Sequence, residues 1–502
     1  MKRFWRMNHC AVVLAMFLPA AGCVSNEAVN KDSVGAGSVS AISSQRTAEP
    51  PYPLVPGQPQ SVGMDPGRLE QAAGVLSAAL ASHDFDGAVL LVARHGQVVF
   101  HRAFGKRDGN AIDPATGQPW PAMPAPDALG PEPEVAMPVD GIFDLASMTK
   151  PFTAFLAMRM DEDEARYPGF SIHDLVSDYI PDFANDPSRG AMTVRDLMRY
   201  ASGYDVDTAV PLYDPAANPD PWAHMIAEPL SYATGTAVVY SDLGYRLLGY
   251  VLQRAAGNVP LQALMEREIF TPLGMSDTGY RPFTTQYAKH SRFVGNKYSA
   301  VRGYYPRGEA IDDNDRYAEN HVLADTGLAF DTGCDGLFST AWDLALFQQM
   351  MLNGGVHVPG RRCSSGRCRG HSGATTLLPA DQVGTMTTVQ TGGLVDASPT
   401  STYTSNLLYT HKGYAWEKPE PGAWPGGDYY TERSYSKTGG AGTLVVVHPD
   451  LDYFFILLTN RGYPDFDFFV DERGMLQWPG FDRLMTAMHA EEVASLIRQA
   501  IR

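Results

Sequence analysis

Apolar residues begin to recur at helical spacing shortly after residue 65. Asp65-Pro66 is a favourable helix start, because an aspartate side chain caps the first amides and proline fits the first helical position. The apolar positions of this helix are Leu69, Ala72, Ala73, Leu76 and Leu80. Residues 87–93 then form a continuous apolar run, and 98–100 form another after a polar turn. This pattern predicts a helix followed by a hairpin that is buried on both faces.

The C-terminal part of the chain contains strands followed by a helix. Two apolar runs, 443–447 and 453–458, predict strands, and a helix is expected from about Phe481 to Ile501. Between the two ends, from Phe143 to about Met351, the periodicity is mainly helical. The chain therefore predicts an α/β (α+β) fold, in which an antiparallel sheet built from the N- and C-terminal segments is flanked by helices and carries an inserted, mainly helical domain.

Changes in composition give the expected domain boundaries. Residues 1–22 have the features of a signal peptide, and 23–58 are expected to form a flexible tether, since they are rich in Ser, Ala, Gly, Asn and Pro and lack apolar periodicity. The remainder, 59–502, is expected to fold as one large domain. Its sheet part is expected in 59–142 and 331–502, and its mainly helical part in 143–330.

The overall composition limits the classes of partner. The 502 residues are 44% hydrophobic and 19% charged, which excludes a chain that is disordered throughout. A net charge of −17 argues against a nucleic-acid partner. The five cysteines show no CxxC spacing and no accompanying histidine cluster, so no metal site is expected.

The first residues have the pattern of an export signal. Three basic residues precede an apolar run, 11–17, which is too short to span a membrane as a mature helix, and small residues lead up to Cys23. This arrangement resembles the lipobox of bacterial lipoproteins, although Ala20 stands where leucine is usual. The sequence therefore predicts lipid attachment at Cys23 and a position on the periplasmic face of the outer membrane. The alternative is an ordinary secretory signal and a soluble periplasmic protein.

Ser147-Met148-Thr149-Lys150 is the first candidate for chemistry. The lysine follows the serine by one helical turn, so its amine can contact the hydroxyl. A serine hydroxyl is a weak nucleophile until a neighbouring group accepts its proton, and a desolvated amine can assist that transfer. The spacing alone is a weak signal, because the chain contains a second copy, Ser434-Tyr435-Ser436-Lys437, and an exposed helical pair commonly explains such spacing.

Two further segments follow the first SxxK in a fixed order. Tyr240-Ser241-Asp242 comes after an apolar approach, and Lys437-Thr438-Gly439-Gly440 lies just before the strongest predicted strand. Taken singly, a core tyrosine and a solvated strand entry explain these segments equally well. Jointly, SxxK, Y-S-[ND] and K-T-G form the three-box pattern of the penicillin-recognising serine hydrolases. From about Ser61 to Asn460 the sequence resembles the class C β-lactamase-related serine hydrolases, which include class C β-lactamases, DD-peptidases and family VIII-type esterases.

The resemblance implies a role for each box. Ser147 would be the nucleophile, Lys150 its first partner, and Tyr240 the general base, held between Lys150 and Lys437, whose charges would lower the pKa of the phenol. The backbone N–H groups of Ser147 and Gly440 would form the oxyanion hole. The residues implied in substrate binding are Asp242, Thr438 and Gly439. The implied reaction is acyl transfer through an acyl-Ser147 followed by hydrolysis, without a cofactor.

Two positions depart from the family pattern. Arg199-Tyr200-Ala201 precedes Ser202-Gly203, where many relatives have a histidine. Asp242 stands where class C β-lactamases carry an asparagine that donates to the substrate's amide carbonyl, whereas an ionised aspartate only accepts. We therefore expect Asp242 to bias the site away from β-lactams and towards esters. The alternative is that Asp242 is protonated or turned onto Lys150.

The predicted function is that of an exported serine hydrolase that cleaves an ester or a peptide-like amide. Its expected partner is a small-molecule ester, a β-lactam or a cell-wall peptide. The alternatives are a class C-type β-lactamase and a penicillin-binding or cell-wall-associated lipoprotein with negligible turnover. In an oxidising compartment we expect a local disulfide between Cys363 and Cys368, while Cys334 is expected to be a small buried residue.

Overall fold

Helices and strands occupy both ends of the chain as the apolar pattern predicts. The computed structural model describes residues 51–109, 112–113, 115–124, 129–207, 220–296, 298–299, 302–314, 331–360, 362–364, 367–369, 373–396, 411–419, 424–426, 429–461, 469–470, 476–477 and 488–502. The predicted signal peptide, Cys23 and the predicted tether up to residue 50 lie outside these ranges. Residues 50–502 form one compact unit.

A six-stranded sheet joins the two ends of this unit. Its strands are β1 (Val55–Pro56), β2 (Gly87–Arg94), β3 (Gln97–Gly105), β4 (Tyr435–Gly439), β5 (Thr443–His448) and β6 (Tyr453–Thr459). Their order is β1-β3-β2-β6-β5-β4. The central pair, β2 and β6, is antiparallel and runs in register from Tyr453 opposite Arg94 to Thr459 opposite Ala88. The prediction that one sheet is built from both ends of the chain is therefore confirmed.

β1 makes this sheet mixed, because it pairs with β3 in the parallel direction. Val55 N donates to Gly96 O at 2.9 Å, and Gly57 N donates to Val98 O at 2.9 Å. Pro56 lacks an amide proton and suits an edge strand, where no further partner is needed. The segment that contains β1 was expected to belong to the tether. A two-residue pairing has no apolar periodicity, so composition could not reveal it.

Helices cover one face of the sheet. α1 (Pro66–Ala81) begins at Asp65, whose carboxylate accepts from Gly67 N at 2.8 Å, and it packs against α5 (Ala490–Ala500). Side chains of β2, β5 and β6 alternate between this layer and the core on the opposite face, where Val89, Leu91 and Ile456 are fully buried. β2 is thus buried on both faces, as its continuous apolar run predicts, whereas β3 is exposed at Arg102 and Gly105, so the prediction holds for only one strand of the hairpin.

The opposite face packs against the mainly helical part. Its long helices are α2 (Lys150–Glu162), α3 (Asp242–Ala255) and α4 (Ala341–Leu352). Shorter helices are Val194–Met198, Pro221–Ala227, Leu261–Met265, Thr271–Leu273, Pro282–Thr285 and Ala380–Thr387. A small three-stranded sheet consists of Phe143–Asp144, Leu337–Ser339 and Gly279–Tyr280. In the described ranges, no helix combines the length and apolar character needed to cross a membrane.

Short strand pairs complete the structure. They are Ala237–Val238 with Val395–Asp396, Val356–His357 with Thr375–Thr376, Arg362–Ser364 with Arg367–Arg369, and Phe469–Val470 with Leu476–Gln477. In the third pair the backbone of Cys363 lies directly opposite that of Cys368. The disulfide between them stays a prediction. Cys334 is fully buried, as expected.

Candidate active site

Ser147 lies in a tight turn that leads directly into α2. The strand Phe143–Asp144 is followed by a 3-10 helix, Ala146–Thr149, and Lys150 is the first residue of α2. Side chains three residues apart are eclipsed in a 3-10 helix. Lys150 Nζ therefore reaches Ser147 Oγ at 2.9 Å. The structure brings the serine and the lysine of the first box together in a buried position.

The turn before Ser147 is held by a carboxylate. Ala146 has a φ of +45°, a left-handed conformation that costs energy for a residue with a Cβ. Asp144 stabilises it, because its Oδ1 accepts from Ala146 N at 2.8 Å and its Oδ2 accepts from Ile311 N at 2.7 Å. The nucleophile turn is thus tied to a long loop of the inserted part. The sequence analysis did not single out Asp144.

Lys150 is fully buried and surrounded by oxygen atoms. Besides Ser147 Oγ, its ammonium lies 3.0 Å from the backbone oxygen of Cys334 and 2.5 Å from Oδ1 of Asp242. Burial by itself would lower the pKa of Lys150, but the charge of Asp242 reverses this effect and holds the pKa well above its usual value. In the resting protein Lys150 is therefore an ammonium group rather than a free amine.

Asp242 adopts the alternative arrangement considered for it, turned onto Lys150. It is the first residue of α3, and one-fifth of its side chain is exposed. The preceding Ser241 caps this helix by accepting from Gly244 N at 3.0 Å. Asp242 therefore forms an ion pair with Lys150 and adds a negative charge to the site.

Tyr240 lies between the two lysines that the boxes supply. The centre of its ring is 4.9 Å from Lys150 Nζ and 5.3 Å from Lys437 Nζ. Burial raises the pKa of Tyr240 above its usual value, the charge of Lys150 opposes this effect, and the charge of Asp242 adds to it. The phenol is therefore protonated at neutral pH in the resting site, and a proton has to leave the site before Tyr240 acts as a base.

Tyr200, which lies in the segment before Ser202-Gly203 that departs from the family pattern, is stacked on Tyr240. Their ring centres are 5.1 Å apart at an interplanar angle of 23°, and Tyr245 of α3 lies 5.1 Å from Tyr200 on another side. The backbone oxygen of Tyr200 accepts from Val239 N at 3.0 Å, which fixes the approach to Tyr240. Tyr200 has a φ of +62°. Tyr200 thus gives Tyr240 a buried aromatic support.

Lys437 and Thr438 of β4 share a buried partner, Glu417. Glu417 Oε1 accepts from Lys437 Nζ at 2.8 Å and from Thr438 Oγ1 at 3.0 Å, and its Oε2 accepts from Ser436 Oγ at 3.2 Å. Burial lowers the pKa of Lys437, while the charge of Glu417 acts in the opposite direction. The sequence analysis missed Glu417, because it lies 20 residues before Lys437 and meets β4 only through tertiary pairing with Ser436.

Gly439 lets β4 approach the nucleophile turn. A Cβ at Gly439 would lie 2.2 Å from the backbone oxygen of Leu145, so any side chain would push the strand away from Ser147. Thr443 Oγ1 donates to the same oxygen at 3.1 Å. The role of this glycine is therefore contact with the protein's own turn. Gly440, the candidate second oxyanion donor, is the next residue of the chain.

The described residues thus gather a serine hydroxyl, three titratable partners and a close strand edge in one place. Ser147 is 8% exposed, Lys150 and Lys437 are buried, and Tyr240 and Asp242 are partly exposed. Such a site suits nucleophilic attack on an acyl carbon, with proton transfer through Lys150 and Tyr240.

Comparisons with known proteins agree with this geometry. The family described as beta-lactamase matches residues 72–477. A "putative D-alanyl-D-alanine carboxypeptidase" of Escherichia coli O157:H7 is 26% identical over 439 residues, which covers 82% of this chain and 86% of that protein. An "N-acetylmuramyl-L-alanine amidase" of Bacillus subtilis (strain 168) is 26% identical over 403 residues, covering 75% of this chain and 77% of the relative.

Solved structures show the same fold. EstCE1, described as a hydrolase with promiscuous acyltransferase activity, has a TM-score of 0.54 at 18% identity and covers 86% of this chain and 98% of its own. The octameric penicillin-binding protein homologue from Pyrococcus abyssi has a TM-score of 0.53 at 18% identity, covering 80% of this chain and 75% of its own. With a family match across most of its length and the three boxes gathered around one serine, this chain belongs to the β-lactamase family of serine hydrolases.

Proposed function

We propose that this protein hydrolyses an ester or a peptide-like amide through an acyl-Ser147 intermediate. The observation that carries the proposal is the contact of 2.9 Å between Lys150 Nζ and Ser147 Oγ, with the ring of Tyr240 beside the same ammonium. Once Tyr240 has lost its own proton, Ser147 Oγ attacks the acyl carbon while its O–H bond breaks, and the serine proton binds the phenolate oxygen of Tyr240. Tyr240 then gives this proton to the leaving group. Water releases the acyl group in a second step, with the proton transfers reversed.

A cell-wall-derived amide is the substrate class that the relatives favour. The names of the two curated relatives refer to a D-alanyl-D-alanine bond and to an N-acetylmuramyl-L-alanine bond. Both are amides of cell-wall fragments. The ester alternative rests on the acyl-transfer chemistry of the Ser147 site, and EstCE1, described as a hydrolase with promiscuous acyltransferase activity, has the same fold. β-Lactam hydrolysis is the second candidate, because the three boxes are complete.

The test of acylation uses a fluorophosphonate, which labels activated serines whatever the natural substrate is. Intact-mass measurement should show a single adduct on the wild-type protein and on Ser434→Ala, and none on Ser147→Ala. An adduct that persists in Ser147→Ala would contradict the assignment. Ser434→Ala is a matched control, because it removes the serine of the second SxxK copy.

A substrate panel then separates the candidate activities. The purified protein is offered N-acetylmuramyl-L-alanine, a peptide ending in D-alanyl-D-alanine, a short-chain nitrophenyl ester and a chromogenic cephalosporin. We expect turnover of a wall-derived amide or of the ester to exceed that of the cephalosporin. Labelling by fluorophosphonate without turnover of any panel member would instead favour a penicillin-binding protein with negligible turnover.

Export and lipid attachment at Cys23 belong to the same proposal. Their support is the basic start, the apolar run and the small residues before Cys23. Cells that express the full chain and take up a labelled fatty acid should incorporate the label into the wild-type protein and not into Cys23→Ala. A Cys23→Ala protein that is exported in soluble form would support a lipid anchor, and equal labelling of both proteins would refute it.

A further inference from the structure

A hairpin that the sequence analysis did not single out carries two charged residues into the site. Lys412 lies opposite Glu417 across an antiparallel pairing, and Gly413 N donates to Trp416 O at 2.9 Å at its tip. Glu417 N and O bond to Ser436 O and N at 2.9 and 3.0 Å, which attaches the hairpin to β4. The hairpin therefore extends the edge of the sheet beside the K-T-G box.

Lys412 faces the stacked pair formed by Tyr200 and Tyr240. It is 2% exposed, and its Nζ lies 5.9 Å from the ring centre of Tyr200 and 6.0 Å from that of Tyr240. Among the described residues, Lys150, Lys437 and Lys412 each have an ammonium group within 6.0 Å of the Tyr240 ring centre. The family boxes contain only two of these three lysines.

The two box lysines are each paired with a carboxylate at short range. Asp242 is 2.5 Å from Lys150, and Glu417 is 2.8 Å from Lys437. Within the described ranges, the titratable groups around Tyr240 on the elements packed against it are Lys150, Asp242, Tyr245, Tyr200, Lys437, Glu417 and Lys412.

We propose that Lys412 is a positioning residue that stabilises the phenolate of Tyr240 and thereby sets the pH at which Ser147 becomes reactive. The inference rests on the proposed roles of Ser147 and Tyr240. In the step concerned, the O–H bond of Ser147 breaks, its electron pair forms the bond to the acyl carbon, and the proton binds the phenolate oxygen. Lys412 takes no part in the transfer, but its charge favours the form of Tyr240 that accepts the proton.

Coulomb's law sets the size of the expected effect. A unit charge about 6 Å from the ring shifts the pKa of the phenol by about half a unit in a water-like dielectric and by about two units at an effective dielectric of about 20. Loss of the charge should move the acid limb of the activity profile to higher pH by an amount between these limits. At a pH below that limb, the rate should fall by about threefold to a hundredfold.

The experiment measures the second-order rate of Ser147 labelling by a fluorophosphonate as a function of pH. Lys412→Gln and Lys412→Met should both show the shift, and Lys412→Arg, which keeps the charge, should stay close to the wild-type profile. Lys418→Gln is the matched control. It removes the same charge from the same hairpin, but Lys418 Nζ donates to Ser434 O at 2.6 Å and lies beside Tyr435.

Three results would overturn the inference. The first is a neutral variant at Lys412 with the wild-type acid limb. The second is an equal shift in the Arg and the neutral variants, which would indicate packing rather than charge. The third is an equal shift in Lys418→Gln. Absence of any Ser147 adduct in the wild-type protein would instead refute the proposed function, so the two failures are distinguishable. Two neutral variants, Lys412→Gln and Lys412→Met, are used so that the test can still be made if one of them does not fold.

Discussion

The two SxxK copies of this chain have the same spacing and opposite structures. In the first, Ser147 and Lys150 lie in a 3-10 turn and at the start of α2, and Nζ and Oγ are in contact at 2.9 Å. In the second, Ser434 directly precedes β4 and Lys437 lies within it. Successive side chains of an extended chain point to opposite faces, so residues three apart point away from each other.

The partners of the second copy confirm this separation. Ser434 Oγ lies 3.0 Å from Nδ1 of His448 and accepts from Thr431 N at 3.0 Å, while Lys437 turns to Glu417. Burial lowers the pKa of His448 to about 4, so its imidazole is neutral at neutral pH. The difference shows that the spacing of a motif predicts its chemistry only after the backbone conformation is known. In the helical turn, the SxxK motif places Ser147 in contact with Lys150. Beside the strand, the same motif gives Ser434 a buried structural contact with His448.

The strongest test of this comparison removes the lysine from the first copy. Lys150→Met should slow the labelling of Ser147 by about a thousandfold, within the range typical of general acid–base groups, since both the contact with Ser147 and the proton path to Tyr240 are lost. The rate of fluorophosphonate labelling measures this, and circular dichroism checks the fold. A rate within about tenfold of wild type would show that the contact of 2.9 Å is not catalytic.

The boxes and the sheet could be predicted because their signals are local. The Asp65 cap, the apolar run of β2 and the Ser147–Lys150 turn depend on neighbouring residues. Glu417 and Lys412 could not be found in this way, since they reach the site through a hairpin that pairs with β4 far along the chain. The need for glycine at position 439 could not be predicted either, because the backbone oxygen of Leu145, which excludes a side chain there, approaches only in the folded structure.

The lysine of the second copy gives the next largest effect, and it should act on stability. Lys437→Met would leave Glu417 buried without its cation, which typically costs about 3 kcal/mol or more of unfolding free energy. The double variant Lys437→Met/Glu417→Gln removes both charges and should recover most of the loss. Urea unfolding measures both. If the double variant were as unstable as the single one, the ion pair would not be the cause.

Asp242→Asn tests the ion-pair partner of Lys150 in the first copy. Removing the carboxylate should lower the pKa of Lys150 and move the acid limb of all acylation rates to lower pH, because the charge of Asp242 is what raises that pKa. The new amide can also donate to a substrate carbonyl. We therefore expect cephalosporin turnover to rise by up to about two decades relative to ester turnover, a difference of about 2 to 3 kcal/mol.

The ratio of the two kcat/KM values separates the two effects of Asp242. A change in Lys150 alone acts on both substrates and leaves the ratio constant. A ratio that stays flat would show that Asp242 acts only through its ion pair with Lys150, and the preference for esters would then lose its main support. Lys437→Met is not used as a control in this assay. The assay compares wild type with Asp242→Asn, each at the plateau of its own pH profile.

Ser434→Ala probes the second copy directly. The change leaves Nδ1 of the buried His448 without its hydroxyl partner, and it removes the acceptor of the amide of Thr431, which is an exposed residue. A buried polar group without a hydrogen-bond partner typically costs about 1 to 2 kcal/mol, so urea unfolding should show a loss of unfolding free energy of that size. The rate of Ser147 labelling should be unchanged at temperatures where the variant is folded. A loss of labelling with unchanged stability would reverse the assignment of the two copies.

The smallest effect is expected in a region that belongs to neither copy. It is the predicted disulfide between Cys363 and Cys368, whose backbones lie directly opposite each other in an antiparallel pair. Closing so short a loop contributes roughly 2 kcal/mol in the chain-entropy model, and the hairpin already restricts the same residues, so the net gain should be smaller. The double Cys→Ser variant should therefore fold and keep its Ser147 labelling rate. Free-thiol labelling of both cysteines in protein from an oxidising compartment would refute the bridge, and loss of Ser147 labelling in the double variant would show that this hairpin supports the site.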